Sequence, residues 1–486
     1  MSFKLIKKHL ILFSFFIFVV NIQDSAAQQT LRLSLRAAVD SALGNNMKIQ
    51  QYRQVVLQKQ YLNKAAAGNY FPSIGLMGGY TYFSKNPEIN MGQVKNSIDD
   101  MFGKYGVVIA QELDLSQESQ QVIYDKIVGG LGKLPAYNIT VDQQNYPNLN
   151  ITALQPIFLG GKVVAGKRFA EAEMDYASED LRQVSNEIIE ETIQRYFGVV
   201  LLKQVIVTRK QVLAGMLKHE KQAKRAIEVG VIPSHELLRA QVAVANAQRD
   251  LSDDENKLEL AKMALKTSLG IDQSFTVKVT DSLKYQIAAI NLNDLQLQAR
   301  EKQPVFNMIA QKKLMVEQQH ALDVSEFLPQ VAAWGEYGFF RDSYAVIMPP
   351  AMIGIQATMN IFHGMSKVNK LKSTKYLIEE VSKAEKYAHE QVSLWVASSY
   401  QEVLNSEQRY HKMKPTVALA AKNVEINETR FQEGLSKSID VIDSHLLYEG
   451  VVLERLKSLY DYYIALTELY LATGNPEKVV GMLGKE

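Results

Sequence analysis

Two long stretches of this chain repeat each other. A shift of 204 positions carries Phe158, Gly160, Tyr196, Gly230 and Gly270 onto Phe362, Gly364, Tyr400, Gly434 and Gly474 without a gap. Upstream the shift becomes 257, pairing Phe71-Pro72 with Leu328-Pro329, so the first copy carries 53 extra residues between these anchors. A period this long is not that of a small solenoid unit. It predicts an ancestral duplication of an elongated module in which each copy joins short strands to very long helices.

Four segments alternate with period two, each long enough for a tilted strand across a bilayer. In Tyr70–Ser84, Ile74, Leu76, Tyr80 and Tyr82 alternate with Gly75, Gly79 and Thr81. In Pro147–Phe158, Leu149, Ile151 and Ala153 oppose Asn148, Asn150 and Thr152. Val331–Phe340 sets Val331, Ala333, Tyr337 and Phe339 against Glu336. Met352–Ile361 sets Ile353, Ile355, Ala357, Met359 and Ile361 against Gln356, Thr358 and Asn360. One face suits lipid or a core, the other water. Any single strand fits a soluble sandwich as well; four in duplicated positions behind a secretory leader favour a barrel. Tyr80, Tyr82, Phe339 and Phe340 are then candidates for an aromatic girdle at the lipid interface, or else pack between strands.

The remainder is helical in pattern. The first copy shows it over Leu33 to Gly68, Lys162 to Val229 and Ser234 to Leu269, the second over Leu292 to Phe327, Met365 to Glu433 and Ser438 to Thr473. In each copy the two shorter helices laid end to end match the longer one, which at 1.5 Å per residue extends ~100 Å. Heptad-like spacing of Met174, Leu181 and Ile188, then of Val199, Ile206 and Leu213, predicts an extended antiparallel coiled coil. Gly230 and Gly434 end the long helices as residues free to take positive φ. Pro233 suits the first turn of the next helix, and Ser436 or Ser438 is a candidate cap for its repeat partner. These positions are hairpin tips. The strand pairs are joined by a large loop, Lys85 to Tyr146, and a small one around Arg341 to Met348. The large loop contains Asn86-Pro87 and Gly129-Gly130, supplies most of the excess, and is expected to project outward.

The N-terminus reads as a secretory signal: Lys4, Lys7 and Lys8, an apolar run from Leu10 to Val20, then Ser25-Ala26-Ala27. The run is too short for a membrane span, which favours cleavage after Ala27 over an uncleaved anchor. Cleavage removes three cations and Asp24, taking the formal charge from +2 to 0 and leaving no basic field for nucleic acid. Cysteine is absent, which excludes disulfides and thiolate metal sites. No later stretch has the length of an apolar transmembrane helix, so a membrane form must cross as a barrel. Four strands cannot close one, so the chain must oligomerise. The expected domains are residues 28–270, a first repeat; 271–290, a linker alternating at Phe275, Val277 and Val279; 291–474, a second repeat; and 475–486, a C-terminal segment equivalent to the linker.

No enzyme signature stands up: there is no nucleotide-binding glycine loop, no H-E-x-x-H and no nucleophile elbow. The histidines are scattered, His235 beside Glu236 and His445 after Asp443, and neither they nor the sixteen methionines make a metal motif. No cofactor is expected.

Several phrases resemble the TolC family of outer-membrane efflux proteins over essentially the whole mature length. Leu154-Gln155-Pro156-Ile157-Phe158-Leu159-Gly160-Gly161 looks like the family's passage from strand into long helix, and Ile361-Phe362-His363-Gly364 is its second copy. Arg430-Phe431-Gln432-Glu433-Gly434, followed by Ile439-Asp440-Val441-Ile442-Asp443, is similar to the family's hairpin-tip signature. The resemblance implies a mainly α chain with membrane β: a homotrimer with a twelve-stranded outer-membrane barrel, four strands per chain, and a coiled-coil tunnel in the periplasm. It also implies a periplasmic adaptor (membrane fusion) protein on the tips and an inner-membrane transporter supplying energy, in an efflux or type I secretion system.

By that resemblance Asp440 and Asp443 match aspartates that ring the periplasmic entrance, with Glu236 and Arg239 at the equivalent positions in the first copy. Their i, i+3 spacing puts both on one helical face, where threefold symmetry would gather six carboxylates and favour cations. The simpler reading is that two acids early in a helix complement its dipole. Where some members carry a latching Arg just after the tip glycine, this chain has Ser436 and Lys437. Val229, Gly230, Val231, Glu433, Gly434 and Leu435 are candidates for adaptor docking or for turn-making alone. Phe431 matches a tip aromatic but has the spacing of a core residue. A periplasmic coiled-coil adaptor or scaffold is the alternative function, and a secreted hydrolase a more distant one. The cargo is not legible.

Overall fold

A computed structural model of the chain describes residues 30–85, 88–89, 91–131, 139–140, 144–340 and 349–483. The expected leader, Asn86-Pro87 and the connection Arg341–Met348 lie outside them. The chain divides into two compact units: residues up to 50, 184–302 and from 393 onward form one, and 51–183 with 303–392 the other.

The second unit is built on a four-stranded antiparallel sheet of β2 (Ser73–Tyr82), β3 (Asn145–Leu159), β5 (Gln330–Gly338) and β6 (Ala351–Thr358), in the order β2-β3-β5-β6. All four alternating segments are strands, each within a few residues of its expected bounds. Register places Leu76, Ile151 and Tyr337 in one row, and Gly335 pairs with Ile353. Because facing residues share a face, Ile74, Leu76, Tyr80, Ile151, Ala333, Tyr337, Ile353 and Ile355 form one apolar surface. The opposite face collects Asn150, Thr152, Trp334, Glu336 and Gln356. Pro156 sits where the β3–β5 register slips, the bulge position a strand proline needs. The strand then passes into α5 (Lys162–Glu228) through Gly160 and Gly161, both at positive φ. A Cβ at Gly160 would lie 2.8 Å from the Ser325 carbonyl, so this turn admits only glycine. At the repeat-related position, Gly364 and Met365 take the same left-handed conformation before α9 (Ser366–Gln432).

The segment expected as an outward loop is a helical hairpin, α3 (Met91–Glu112) and α4 (Gln117–Leu131). Its turn is tightened by Leu115 N–H donating to the Ala110 carbonyl and by Asp114 at positive φ. Apolar residues at helical spacing, Tyr105, Val108, Ile109 and Ala110, give α3 a face to bury, a signal masked by reading length and glycine content as loop. That face does not project away: Ala110, Leu113 and Leu115 form a cluster with Leu154 and Ala332 of the sheet.

The first unit is a bundle of α5, α6 (Ser234–Leu269), α9 and α10 (Ser438–Ala472), with α1 (Leu35–Asn45), α7 (Leu292–Lys302) and α11 (Glu477–Leu483). The helices α5 and α9 are each 67 residues long and both contribute to the two units. Tyr196, Phe197, Leu269, Tyr462, Tyr463 and Leu466 are fully buried. A two-stranded parallel ladder of β1 (Thr30–Leu33) and β4 (Thr276–Val279) ties the linker to the N-terminal segment, with the Tyr196 hydroxyl 2.7 Å from Asp281.

Two expected helices are each broken. The first divides into α1 and α2 (Met47–Gly68) at Asn46, whose amide donates to the Ser268 carbonyl at 2.8 Å and whose side-chain oxygen accepts from Lys48 N–H. The repeat partner divides into α7 and α8 (Pro304–Ser325), because Pro304 can open a helix but not continue one.

Candidate functional site

Both hairpin tips lie in the first unit. At the first, Val231 N–H donates to the Ala226 carbonyl and Gly230 N–H to that of Ile227; at the second, Leu435 donates to Arg430 and Gly434 to Phe431. These are Schellman endings, and φ of +75° at Gly230 and +72° at Gly434 supplies the left-handed residue they require. On either side of these glycines the chain exposes side chains: Val229, Val231 and Leu435 are 74, 60 and 64% exposed, and Glu433 faces solvent.

The next helices start differently from expectation. Pro233 is the N-cap of α6 rather than a first-turn residue, and neither serine caps α10. Ser438 is its first residue, and its hydroxyl lies 2.6 Å from His219 Nε2. The cap comes from Asp440, whose carboxylate accepts the Lys437 N–H at 2.8 Å, so the helix-start role is real for this acid. Asp440 and Asp443 both remain exposed.

Glu236 is placed otherwise. Only 6% exposed, it accepts the Ser438 N–H at 3.2 Å, with His235 and Arg239 at 3.2 and 3.5 Å. Its carboxylate thus meets the N-terminus of the other hairpin's second helix, where a negative charge is favoured. That inward position departs from an acid facing a pore. Phe431 departs in the same way from a docking residue: it is buried with Ala223, Ala240 and Val441, and the His219 ring meets it edge-on at 4.6 Å.

Two polar groupings were not legible beforehand. Close to the tip, burial pushes His219 down to about 4, with nearby His445 acting in the same direction. His445 Nε2 in turn lies 3.0 Å from Glu428, whose other oxygen is 2.5 Å from Lys218. Burial opposes charge on Glu428, but Lys218 and His445 outweigh it and hold its carboxyl below the usual range. The unfolded imidazole takes up a proton near pH 6.5, whereas the folded one does so only near 4. Between those values the unfolded state binds more protons, so the contribution of His219 is complete above about pH 6.5 and declines as pH falls towards 4. Thermal melts from pH 7 to 4 should show a smaller loss for His219→Gln than for the parent. Equal losses would remove His219 from the acid response.

Further along the bundle, Arg209 of α5 donates from Nε to Asp254 at 2.9 Å and from Nη1 to Glu449 at 2.8 Å, with Asp250 at 3.5 Å. Asp254 and Glu449 are buried, and Asp254 also accepts from Lys257. One guanidinium therefore joins α6 of the first hairpin to α10 of the second. Asp250 and Asp254 at i, i+4 were a visible signal; their pairing with Arg209, and Glu449 on a distant helix, were not.

In the second unit, Ile74, Leu76, Tyr80 and Ile355 are all strongly exposed and Ile353 is 90% exposed, so the sheet's apolar face is bare. Tyr80, Tyr82, Phe339 and Phe340 are also exposed, with the Tyr80 hydroxyl 2.5 Å from the side-chain oxygen of Asn145. Among the described residues no helix is long and apolar enough to cross a membrane, and no group of side chains has the makings of a metal site.

A family model for "Outer membrane efflux protein" matches residues 38–271. The outer membrane protein TolC of Vibrio cholerae is 24% identical over 199 residues, covering 40% of this chain and 45% of its own length, so the match spans less than half of that relative. Solved structures extend the likeness of fold. The Campylobacter jejuni CmeC outer membrane channel superposes with a TM-score of 0.71 at 14% identity, over 93% of this chain and 89% of its own. The outer membrane protein VceC of Vibrio cholerae gives 0.70 at 14%, over 91% and 96%. The first of these is an outer membrane channel and the second an outer membrane protein, and at these identities the likeness is one of fold. The family match places residues 38–271 among the outer membrane efflux proteins, TolC being a relative, and the fold of the chain is that of TolC-like outer membrane channels.

Proposed function

We propose that three copies of this chain form a passive outer-membrane duct. Their twelve strands make a barrel in the bilayer, and their hairpins make a helical tunnel in the periplasm. The observation that carries the reading is the sheet: one face is apolar and bare, the other polar, and the edges β2 and β6 have no strand partner within the described chain. Exposed apolar rows suit lipid, but unpaired backbone groups do not, so β2 of one copy must meet β6 of the next. Aromatic residues at Tyr80, Tyr82 and Phe339 suit the interfacial girdles of such a barrel, whereas Phe340 departs from that expectation, lying on the hairpin side with Tyr105 and Glu336. The corresponding lengths and tip geometries of the two hairpins support a duplicated ancestral module and a pseudo-sixfold tunnel.

In this reading the exposed Val229, Val231 and Leu435, with Gly230, Glu433 and Gly434, dock a periplasmic adaptor, and an inner-membrane transporter supplies the energy. Phe431 and Glu236 support the tips from within. Asp440 and Asp443 line the entrance, six carboxylates in the trimer. Asp440→Asn with Asp443→Asn should relieve block by divalent cations and change single-channel conductance in planar bilayers by about twofold or more. Unchanged block and conductance in a correctly assembled trimer would take these acids out of the pore. The duct itself predicts a detergent-extracted trimer of heat-modifiable mobility; a water-soluble monomer would favour a periplasmic scaffold instead.

A further inference from the structure

The hairpin α3–α4 accounts for most of the extra length of the first copy, and the sheet face on which it lies fixes its place. Residues whose side chains alternate outward, Ile74, Leu76, Ile151, Ile353 and Ile355, are bare, whereas the hairpin covers the other side. Ala110 is 0% exposed and Ala332 2%, packed together with Leu113, Leu115 and Leu154. The Tyr105 hydroxyl is hydrogen-bonded to the Asn150 amide, which also donates to Glu336 at 2.7 Å. At the turn, Ser116 accepts from the Asn360 amide at 3.2 Å, and Glu118 lies 3.5 Å from His363. Met77, Thr152 and Trp334 face Val108, Ile109 and Glu112 across the same seam. The contact surface is thus the polar strand face, with small residues such as Ala332 and Gly75 admitting the helix.

We infer that this hairpin occupies the interior of the barrel and sets an upper limit on what passes through it. The inference rests on the barrel reading: with the apolar face in lipid, the opposite face is the lumen. Twelve strands about 4.8 Å apart and tilted about 40° enclose a diameter of roughly 24 Å. Helices about 10 Å across fill that width with three side by side, so one α3 from each copy is enough to occlude it. The second copy has only the short connection after β5, so the constriction comes from the first copy alone. It is a selectivity element at the outer membrane, separate from the periplasmic tips.

The Cys-free sequence allows a direct test. In the purified trimer, a cysteine placed by Ala332→Cys should react with a water-soluble maleimide at least tenfold more slowly than one placed by Thr81→Cys, which is exposed on the same sheet face. Replacing residues 86–143 with a short Gly-Ser link should equalise the two rates and raise single-channel conductance at least threefold. Ala110→Asp, which puts a charge into the seam while leaving the strands intact, should do the same in part. Rapid labelling at position 332 in the otherwise intact protein, or unchanged conductance in trimers of the deletion or of Ala110→Asp, overturns the inference. Absence of a heat-modifiable trimer from the parent preparation would instead overturn the barrel reading on which it depends.

Discussion

Arg209→Ala is expected to destabilise the bundle by about 3 kcal/mol and to loosen the attachment of the second hairpin to the first. The guanidinium neutralises two buried carboxylates on different helices, Asp254 and Glu449, and has Asp250 nearby. Removing it leaves Glu449, whose carboxyl burial already holds above its ordinary range, with no cation to offset desolvation. Lys257 still serves Asp254, and a fifth of the Arg209 side chain is exposed. Both facts put the loss towards the lower end for a buried pair. Chemical denaturation in detergent measures that loss directly. Replacing the set together, by Arg209→Met, Asp254→Leu and Glu449→Leu, should recover most of the stability, since no orphaned charge remains. If the proposed duct opens by movement of one hairpin against the other, the single variant should also raise conductance, because Arg209 ties α6 to α10. A stability change under about 0.5 kcal/mol would mean that water reaches Glu449 and that the ion pair is a surface one.

The elements that were legible in the sequence are those whose pattern is local. Alternation at Ile353-Gly354-Ile355-Gln356-Ala357 leaves one reading of strand direction and face, and the structure follows it. The long helices were also bounded to within a residue, since Gly230 and Gly434 mark their ends, and α9 continues through Pro415 despite the lost hydrogen bond. The breaks at Asn46 and Pro304 were harder. Helical periodicity persists across both, and in the first the reason to stop is a tertiary bond from Asn46 to Ser268, 222 positions away.

The site residues divide in the same way. Turn geometry at the tips follows from glycine and is visible in one dimension. Whether a neighbouring side chain turns in or out depends on the other hairpin. Phe431 is buried because Ala223, Ala240 and Val441 form its pocket, and Glu236 because the start of α10 supplies an N–H. Among the described residues Asp440 and Asp443 meet no such partner across the hairpins, and they stay at the surface. The segment between β2 and β3 departs from the expected loop for a different reason. Its helices are amphipathic, but the apolar stripe around Ala110 has meaning only against Leu154 and Ala332, which the chain brings from two separate strands.

Ile353→Arg should abolish recovery of the trimer from outer-membrane fractions, while Gln356→Arg on the opposite face should leave it assembled. Ile353 lies within β6, opposite Gly335, and is 90% exposed. A charged side chain facing the middle of a bilayer costs about 2–4 kcal/mol, and threefold symmetry imposes that cost three times, about 6–12 kcal/mol in all. This approaches the whole stability of an ordinary domain. Gln356 stands on the opposite face, paired with Ala332, where a side chain turns toward the inside of the barrel and an arginine is not set against lipid. The contrast between two positions three residues apart separates membrane exposure from general damage to the strand, because both substitutions keep the backbone ladder and add the same group. Were the sheet instead part of a soluble sandwich, with its bare face covered by another domain, Ile353→Arg would yield aggregated or unfolded protein in the soluble fraction. Recovery of Ile353→Arg trimers at the parent's level would contradict the orientation of the sheet, and with it the assignment of lumen and lipid sides on which the duct depends.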